Sequence, residues 1–156
     1  MAILILLSVN FVTMSKAKKY YLSIDEELEF DVVGITSHQA DYKLVWHVNN
    51  KLNLHFIKSE VDLQVYNEKK DEELAFPYYH YEDELDRVSY FLLKNKNELN
   101  YLVPEAQSID YFLFLTNNFI IDINDFIGQM RQIDAVLGVF AFDNQKFKSF
   151  QYLEFN

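Results

Sequence analysis

The chain has 156 residues, a length at which a single domain can bury most of its apolar surface in one core. It contains no cysteine, which excludes a disulfide framework, a thiolate nucleophile and cysteine-bound metal centres, and agrees with a reducing cytoplasm. Its 14 basic and 24 acidic residues give a net charge of −10, which repels a phosphate backbone. We therefore expect a cytoplasmic protein that does not bind nucleic acid.

The amino-terminal residues fit neither a signal peptide nor a membrane span. The apolar run from Ala2 to Leu7 is too short to cross a bilayer, and the lysines from Lys16 to Lys19 follow it instead of preceding it. A polar stretch and a strand-like segment come after Met14. We interpret residues 1–13 as an upstream extension or disordered arm before a translation start at Met14, and residues 14–156 as one domain. An extra strand or amphipathic arm is the alternative.

The first predicted elements are two strands and a helix. Short apolar runs predict strands from Lys19 to Ile24 and from Phe30 to Ile35. The segment from Thr36 to Gln39 then fits the Ser/Thr-x-x-Glu/Gln capping box, in which a side chain and a backbone group satisfy each other at a helix start. A helix is therefore predicted directly after Gln39.

The apolar face of this first helix is wider than a sheet-covering helix needs. Four residues fall within an arc of about 100° on a helical wheel. They are Leu44, Val45, Val48 and Leu52. Tyr42 and Trp46 widen the arc on one side. The width predicts that the helix covers the sheet and also contacts another part of the chain or a second subunit.

Four short segments joined by charged turns follow and predict an antiparallel meander. They run from Val61 to Tyr66, Ala75 to Tyr81, Arg87 to Leu93 and Glu98 to Val103. The second helix is expected to begin at the N-cap Asp122, because apolar residues then recur at helical spacing. These residues are Ile123, Phe126, Ile127, Met130 and Ile133.

Two strands flank the second helix, from Ile109 to Thr116 and from Ala135 to Phe142. Both are apolar on almost every position, so both are predicted to be central and covered on two faces. Strand, helix and strand with short joints predict a right-handed crossover between parallel strands. The chain is therefore predicted to be an α+β protein: a two-layer single domain with a mixed, mostly antiparallel sheet and two principal helices packed on it.

The residue types that support catalysis or metal binding occur without a recognisable pattern. The scattered glycines form no phosphate-binding loop and no dinucleotide fingerprint. The most metal-like cluster is His80 beside Glu82, Asp83 and Glu84, but an acidic run after an alternating strand is typical of a solvated turn. We therefore expect no catalytic residue, no metal and no cofactor.

Glu105 and Asp110 flank a four-residue loop and could form a pair of carboxylates. General acid–base catalysis would require that burial raise the pKa of one of them. The structural alternative is simpler, because Pro104 ends the preceding strand and Asp110 can accept backbone N–H groups across the turn. We favour a structural latch.

The same stretch resembles the signature of the bacterial IPExxxVDY family. Its motif residues are Val103, Pro104, Glu105, Ile109, Asp110 and Tyr111, with valine in place of the first isoleucine and isoleucine in place of the valine. The resemblance continues through the helix from Asp41 to Trp46 and the HYEDE segment that begins at His80, and covers most of residues 16–142. It agrees with a start at Met14. It implies no substrate or cofactor, and no catalytic role for the two acids.

Aromatic residues are the remaining distinctive feature, with 11 Tyr, 14 Phe and 1 Trp. Tyrosine favours partly wet surfaces and interfaces. Our first hypothesis is a non-enzymatic interaction or self-associating domain, in which either a homodimer or a foreign protein partner uses an aromatic surface. The candidate residues are Tyr42, Trp46, Tyr78, Tyr79 and Tyr81. An aromatic-rich core in a monomer competes with it. The alternative function is an enzyme or small-ligand binder with a pocket near Glu105, Asp110 and His80.

Overall fold

The computed structural model describes residues 30–155, so the predicted strand from Lys19 to Ile24 and the proposed start at Met14 lie outside the described residues. The helices are α1 (Asp41–Leu52) and α2 (Ile123–Met130), with 3-10 helices at Pro104–Ala106 and Lys148–Tyr152. The strands are β1 (Phe30–Thr36), β2 (Ile57–Lys58), β3 (Leu63–Asn67), β4 (Glu72–Phe76), β5 (Tyr78–Asp83), β6 (Val88–Lys94), β7 (Lys96–Asn97), β8 (Asn100–Tyr101), β9 (Tyr111–Thr116) and β10 (Gly138–Phe142).

Six strands form the main sheet in the order β10-β1-β9-β6-β5-β2, and every pairing in the described residues is antiparallel. Strands β3 and β4 form a separate hairpin, and β7 and β8 form another. With two helices packed against this sheet, the predicted α+β single domain is confirmed.

The predicted crossover joins strands that run in the same direction but are not neighbours. Gly34 of β1 lies opposite Phe112 of β9 on one side and opposite Phe140 of β10 on the other. Because both ladders are antiparallel, β9 and β10 are parallel to each other with β1 between them. The apolar β1 therefore takes the place beside β9 that the local pattern assigned to β10.

The environments of the two strands that flank α2 differ. Strand β9 is central, and its residues from Tyr111 to Leu115 are buried, as predicted. The prediction of a central position for β10 is wrong, because β10 is an edge strand with Phe140 and Ala141 exposed. An apolar run does not distinguish a buried strand from an edge strand that keeps apolar side chains in water.

Both faces of the sheet are covered. On one face, α1 and α2 bury apolar residues of alternate strand positions, including Val33, Leu92 and Leu113. On the other face, the β3–β4 hairpin and the carboxyl-terminal segment pack on Phe112 and Phe114. The alternation of strand side chains between the faces divides the core into these two clusters.

The capping box predicted ahead of α1 does not form. The helix begins at Asp41 after Ala40, which makes no side-chain cap. The Thr36 hydroxyl, which the box would use as its cap, donates to Gly138 O at 3.4 Å. The neighbouring Ser37 hydroxyl donates to Ala135 O at 2.6 Å and accepts Gln39 N–H at 3.2 Å, so it holds a turn. The predicted N-cap of α2 is correct, because Asp122 Oδ1 accepts Asp125 N–H at 3.0 Å.

The predicted meander is interrupted at Pro77, which lacks the N–H needed for a ladder. The single strand expected from Ala75 to Tyr81 is therefore two: β4 pairs with β3, and β5 joins the main sheet. The strand expected from Glu98 to Val103 is reduced to the short β8. Within residues 30–155, no helix has the length and apolar character needed to traverse a lipid bilayer.

Candidate functional site

The motif loop, which we define as Val103 to Asp110, is organised by a buried amide. Asn95 is fully buried, and its Nδ2 donates to Ala106 O and to Ile109 O, both at 2.9 Å. Its Oδ1 accepts Val103 N–H at 2.9 Å, and its own backbone N–H donates to Asp110 O at 2.8 Å. One side chain from the end of β6 therefore binds the loop at its beginning, middle and end.

Asp110 and Tyr111 connect the start of β9 to the turn between β1 and α1. Asp110 Oδ2 accepts Ser37 N–H at 2.9 Å, and Asp110 N–H donates to Ile35 O at 3.1 Å. Tyr111 Oη donates to Gln39 O at 2.5 Å. These contacts satisfy backbone groups of the turn that would otherwise lack partners beside the core.

Glu105 contacts a different part of the chain. Its two carboxylate oxygens accept Ser149 N–H at 3.1 Å and the Ser149 hydroxyl at 2.6 Å. Glu105 is exposed and fastens the 3-10 helix at Lys148–Tyr152 to the motif loop. The two acids of the predicted pair are therefore engaged with separate segments, Asp110 with the β1–α1 turn and Glu105 with the carboxyl-terminal segment.

His80 takes part in neither the Asp110 contact nor the Glu105 contact. It lies in β5, where it is paired with Ile57 of β2 and Phe91 of β6. Within residues 30–155, no three His, Cys, Asp or Glu side chains are arranged to hold a metal ion, and this includes the acidic run after His80. The strand partners of His80 therefore belong to β2 and β6, whereas Asp110 contacts the β1–α1 turn and Glu105 contacts the carboxyl-terminal segment.

A different cavity, of about 490 Å³, lies between the β3–β4 hairpin and the carboxyl-terminal segment. Its apolar lining comes from Val65, Leu74, Phe76 and Leu102, and Glu105 is the one member of the predicted pocket that reaches it. At its mouth, Glu68 accepts hydrogen bonds from Lys148 Nζ at 2.8 Å and Tyr152 Oη at 3.0 Å. These bonds hold the pKa of the Glu68 carboxyl below its ordinary value.

The aromatic residues predicted to form a surface fall into two groups. Tyr42 is 61% exposed and Trp46 is 63% exposed, one turn apart on α1. The three β5 tyrosines are half-buried and pack against the core clusters, Tyr79 and Tyr81 on the helix side and Tyr78 on the other. We call Tyr42 and Trp46 the aromatic helix face. The tyrosines of β5 are less exposed than these two, and Tyr79 hydrogen-bonds Asp41 at the start of α1.

The Trp46 ring is presented by an ordered helix. Its own neighbour His47 contacts the ring edge-to-face, with centroids 5.0 Å apart, and Asn50 Nδ2 donates to Trp46 O at 2.7 Å. On the opposite side of the helix, Leu44, Val45 and Val48 are buried in the core. The helix therefore has little freedom to turn its two exposed aromatics inward.

Tyr111 is expected to make the stability of the fold depend on pH. Burial raises its pKa to about 12, with smaller contributions from Asp41 and Asp110, because the neutral phenol is favoured in the fold. Burial also raises the pKa of Tyr90 to about 12. The ordinary value of 10.0 applies to the unfolded chain, so the unfolded state loses its phenol protons first as the pH rises.

We therefore expect the burial of these two phenols to contribute its full share of the free energy of unfolding below pH 10.0. That contribution falls as the pH rises from 10.0 to about 12. Each tyrosine contributes a slope of at most about 1.4 kcal/mol per pH unit. Tyr111→Phe removes one contribution, and its loss of the bond to Gln39 O lowers stability by about 1 kcal/mol at neutral pH. Urea unfolding at a series of pH values measures both effects. An unchanged alkaline slope in the variant contradicts the assignment.

Sequence reasoning missed two residues that hold these places together. Asn95 stands in the polar run KNKN, which is typical of an exposed turn, and its burial depends on long-range packing. Glu68 stands in NEKKDEE, and its partners Lys148 and Tyr152 are distant in the sequence. No local period marks either one.

The chain was also compared with known proteins. No protein-family model, no curated protein and no solved structure matches it.

Proposed function

We propose that this protein is a non-enzymatic interaction domain that binds a protein partner through the aromatic helix face. The observation that carries the proposal is the exposure of Tyr42 and Trp46, side by side on a helix whose other face is buried in the core. Residues four apart on a helix are surface neighbours, so one partner could contact both rings.

The residue types support this proposal. Trp and Tyr are the residues most enriched at the energetic centres of protein interfaces, because they bury a large rigid area and keep a polar group for the rim. Trp46 is also the only tryptophan of the chain. Polar neighbours surround it, including Lys43 and Asn50, which are exposed. An apolar centre with a polar rim is the usual composition of a non-obligate interface.

The arrangement of the carboxylates weighs against an enzyme. Asp110 and Glu105 accept hydrogen bonds from Ser37 and Ser149, and each fastens one segment to another. We propose that the motif is a structural latch that positions the β1–α1 turn, and hence the start of the helix that carries Tyr42 and Trp46. The resemblance to the IPExxxVDY family adds no chemistry to this role.

A second candidate is small-ligand binding in the cavity beside the β3–β4 hairpin. Its volume of about 490 Å³ and its apolar lining are those of a small-molecule site. However, the carboxylates at its mouth, Glu68 and Glu105, are already engaged by the carboxyl-terminal segment. A ligand that needs a carboxylate must displace one of these contacts, so we place this candidate second.

The interaction is tested by affinity capture from cells of the source organism with the wild-type chain and with Tyr42→Ala/Trp46→Ala. Both residues are mostly exposed, so we expect the double variant to keep its fold and its melting temperature. Truncation of two interface anchors weakens binding of a true partner by at least about tenfold. The partner captured by the wild type is therefore lost from the variant.

Phe119→Ala/Ile120→Ala is a matched control, because it removes two adjacent exposed apolar side chains from the loop before α2. This control keeps the partner if the aromatic helix face is specific. If both double variants capture the same proteins as the wild type, the surface is not the binding site. Loss in both variants indicates unspecific apolar adhesion and contradicts the proposal as well.

A further inference from the structure

Strand β10 leaves one side of its backbone without a strand partner among the described residues. It pairs with β1 through five register positions, from Gly138 opposite Thr36 to Phe142 opposite Val32. In the sheet order it is terminal, so its other side faces outward. The outward N–H and C=O groups of an edge strand can form a ladder with a further strand.

The other edge of the sheet is protected, and β10 is not protected in the same way. Strand β2 at the opposite edge has only two residues, and Lys58 is one of them. Short length and lysine are the usual devices against edge-to-edge pairing. By contrast, β10 contains no charged residue and no proline. One side chain binds its backbone: Arg131 Nη2 donates to Val139 O at 3.0 Å.

Two side chains near this edge are apolar although they are exposed to solvent. Phe140 is 46% exposed, and Leu137, just before the strand, is 63% exposed. The run from Ala135 to Phe142 is apolar at almost every position, which is typical of a strand covered on both faces, yet Phe140 and Ala141 are exposed. A strand added at the edge would bring its own side chains next to Phe140 and Leu137 and remove part of their apolar surface from water.

We propose that β10 pairs with β10 of a second copy of this chain, antiparallel across a two-fold axis, so that the two six-stranded sheets become continuous. An edge strand is complementary to itself in this arrangement, because each copy offers the same donors and acceptors to the other. Phe140 and Leu137 of both copies would then lie at the join. This surface is distinct from the aromatic helix face, so self-association through β10 and partner binding through α1 can be tested separately.

Charge favours a second copy at this strand over other parts of the surface. Each chain carries a net charge of −10, so two copies repel one another at most orientations. The uncharged strand from Gly138 to Phe142 allows the backbones to approach without placing carboxylates opposite each other. Salt screens the remaining repulsion, so the dimer tightens as ionic strength rises. A basic partner would show the opposite dependence.

The test is sedimentation equilibrium of the full chain at low and high salt, with Phe140→Lys and Phe119→Lys as a matched pair. Phe119 is 93% exposed in the loop before α2, so its variant adds the same charge away from β10. We expect a dimer for the wild type and for Phe119→Lys, tighter at high salt. Phe140→Lys weakens dimerisation at least about tenfold, because a lysine at the edge opposes strand pairing.

Hydrogen exchange on the wild type provides a readout that does not depend on a variant. Protection of the β10 amides increases with protein concentration if a second copy covers the edge, while the central β9 amides stay protected throughout. A monomeric wild type overturns the proposal, and so does β10 protection that is independent of concentration, which would mean that the same chain covers the edge. A dimer that survives Phe140→Lys but is lost in Tyr42→Ala/Trp46→Ala assigns the contact to α1 and also overturns it.

Discussion

Asn95→Ala lowers the free energy of unfolding by about 3–5 kcal/mol. The side chain is fully buried and makes three hydrogen bonds, to Ala106 O, Ile109 O and Val103 N. Removing it leaves Ile109 O and Val103 N–H without their partner in a region with little access to water, and Ala106 O keeps only its bond from Ile109 N–H at 3.1 Å. Each such group costs about 1–3 kcal/mol. Urea unfolding followed by circular dichroism measures the loss.

Asn97→Ala is the matched control for this experiment. Asn97 is the same residue type two positions later, partly exposed, and makes one side-chain bond to Ala75 O at 2.8 Å. We expect it to cost about 1 kcal/mol or less, because water replaces the lost partner. Equal losses in the two variants, or a loss below about 1 kcal/mol for Asn95→Ala, would mean that the amide does not organise the loop.

Phe150→Ala is expected to lower the free energy of unfolding by about 3–5 kcal/mol, as large-to-small changes of buried aromatics do. Phe150 is fully buried although it lies six residues from the carboxyl-terminal end. Its ring contacts Phe112 and Phe114 edge-to-face, with centroids 5.9 and 6.0 Å apart. The substitution creates a cavity between β9 and the carboxyl-terminal segment and removes these contacts.

The control for Phe150→Ala is Phe119→Ala, which removes the same ring from a position that is almost fully exposed. Surface changes of this kind alter stability by less than about 0.5 kcal/mol. A Phe150→Ala variant as stable as the wild type would show that the carboxyl-terminal segment is not part of the core. It would also mean that the Glu105–Ser149 contact does not stabilise the core.

Features that depend on local periodicity were predictable from the sequence. The apolar positions of α1 and the N-cap Asp122 are encoded within a few residues of one another, and the structure places them as expected. The existence of strand β9 was predictable for the same reason, because its apolar run is local, although the same pattern placed β10 wrongly at the centre of the sheet. The α+β class follows from these elements together.

Features that depend on long-range competition were not predictable. Several apolar strands compete for the position beside β9, and nothing local states that β1 occupies it and displaces β10 to the edge. The Thr36 hydroxyl was predicted to cap a helix, but it donates instead to Gly138 O, which is distant in the sequence. Asn95 is the clearest case, since a polar residue in a polar run becomes the buried centre of the motif loop.

The candidate surface was predictable only in part. Tyr42 and Trp46 stood out because they widened a helix face beyond what the sheet could cover, and both are exposed. The β5 tyrosines, from Tyr78 to Tyr81, had the same composition but lie next to the helices and the opposite core cluster. Composition identifies residues that suit an interface, whereas only the packing shows which of them reach water.

The most direct test of the proposed interaction is the fluorescence emission of Trp46, which reports on this surface alone because the chain has no other tryptophan. Emission is recorded while the captured partner, prepared with its own tryptophans replaced, is added to the purified chain. We predict a shift to shorter wavelength and protection from a soluble quencher, because binding removes the exposed indole from water. Unchanged emission and quenching at a partner concentration that saturates binding would contradict the account.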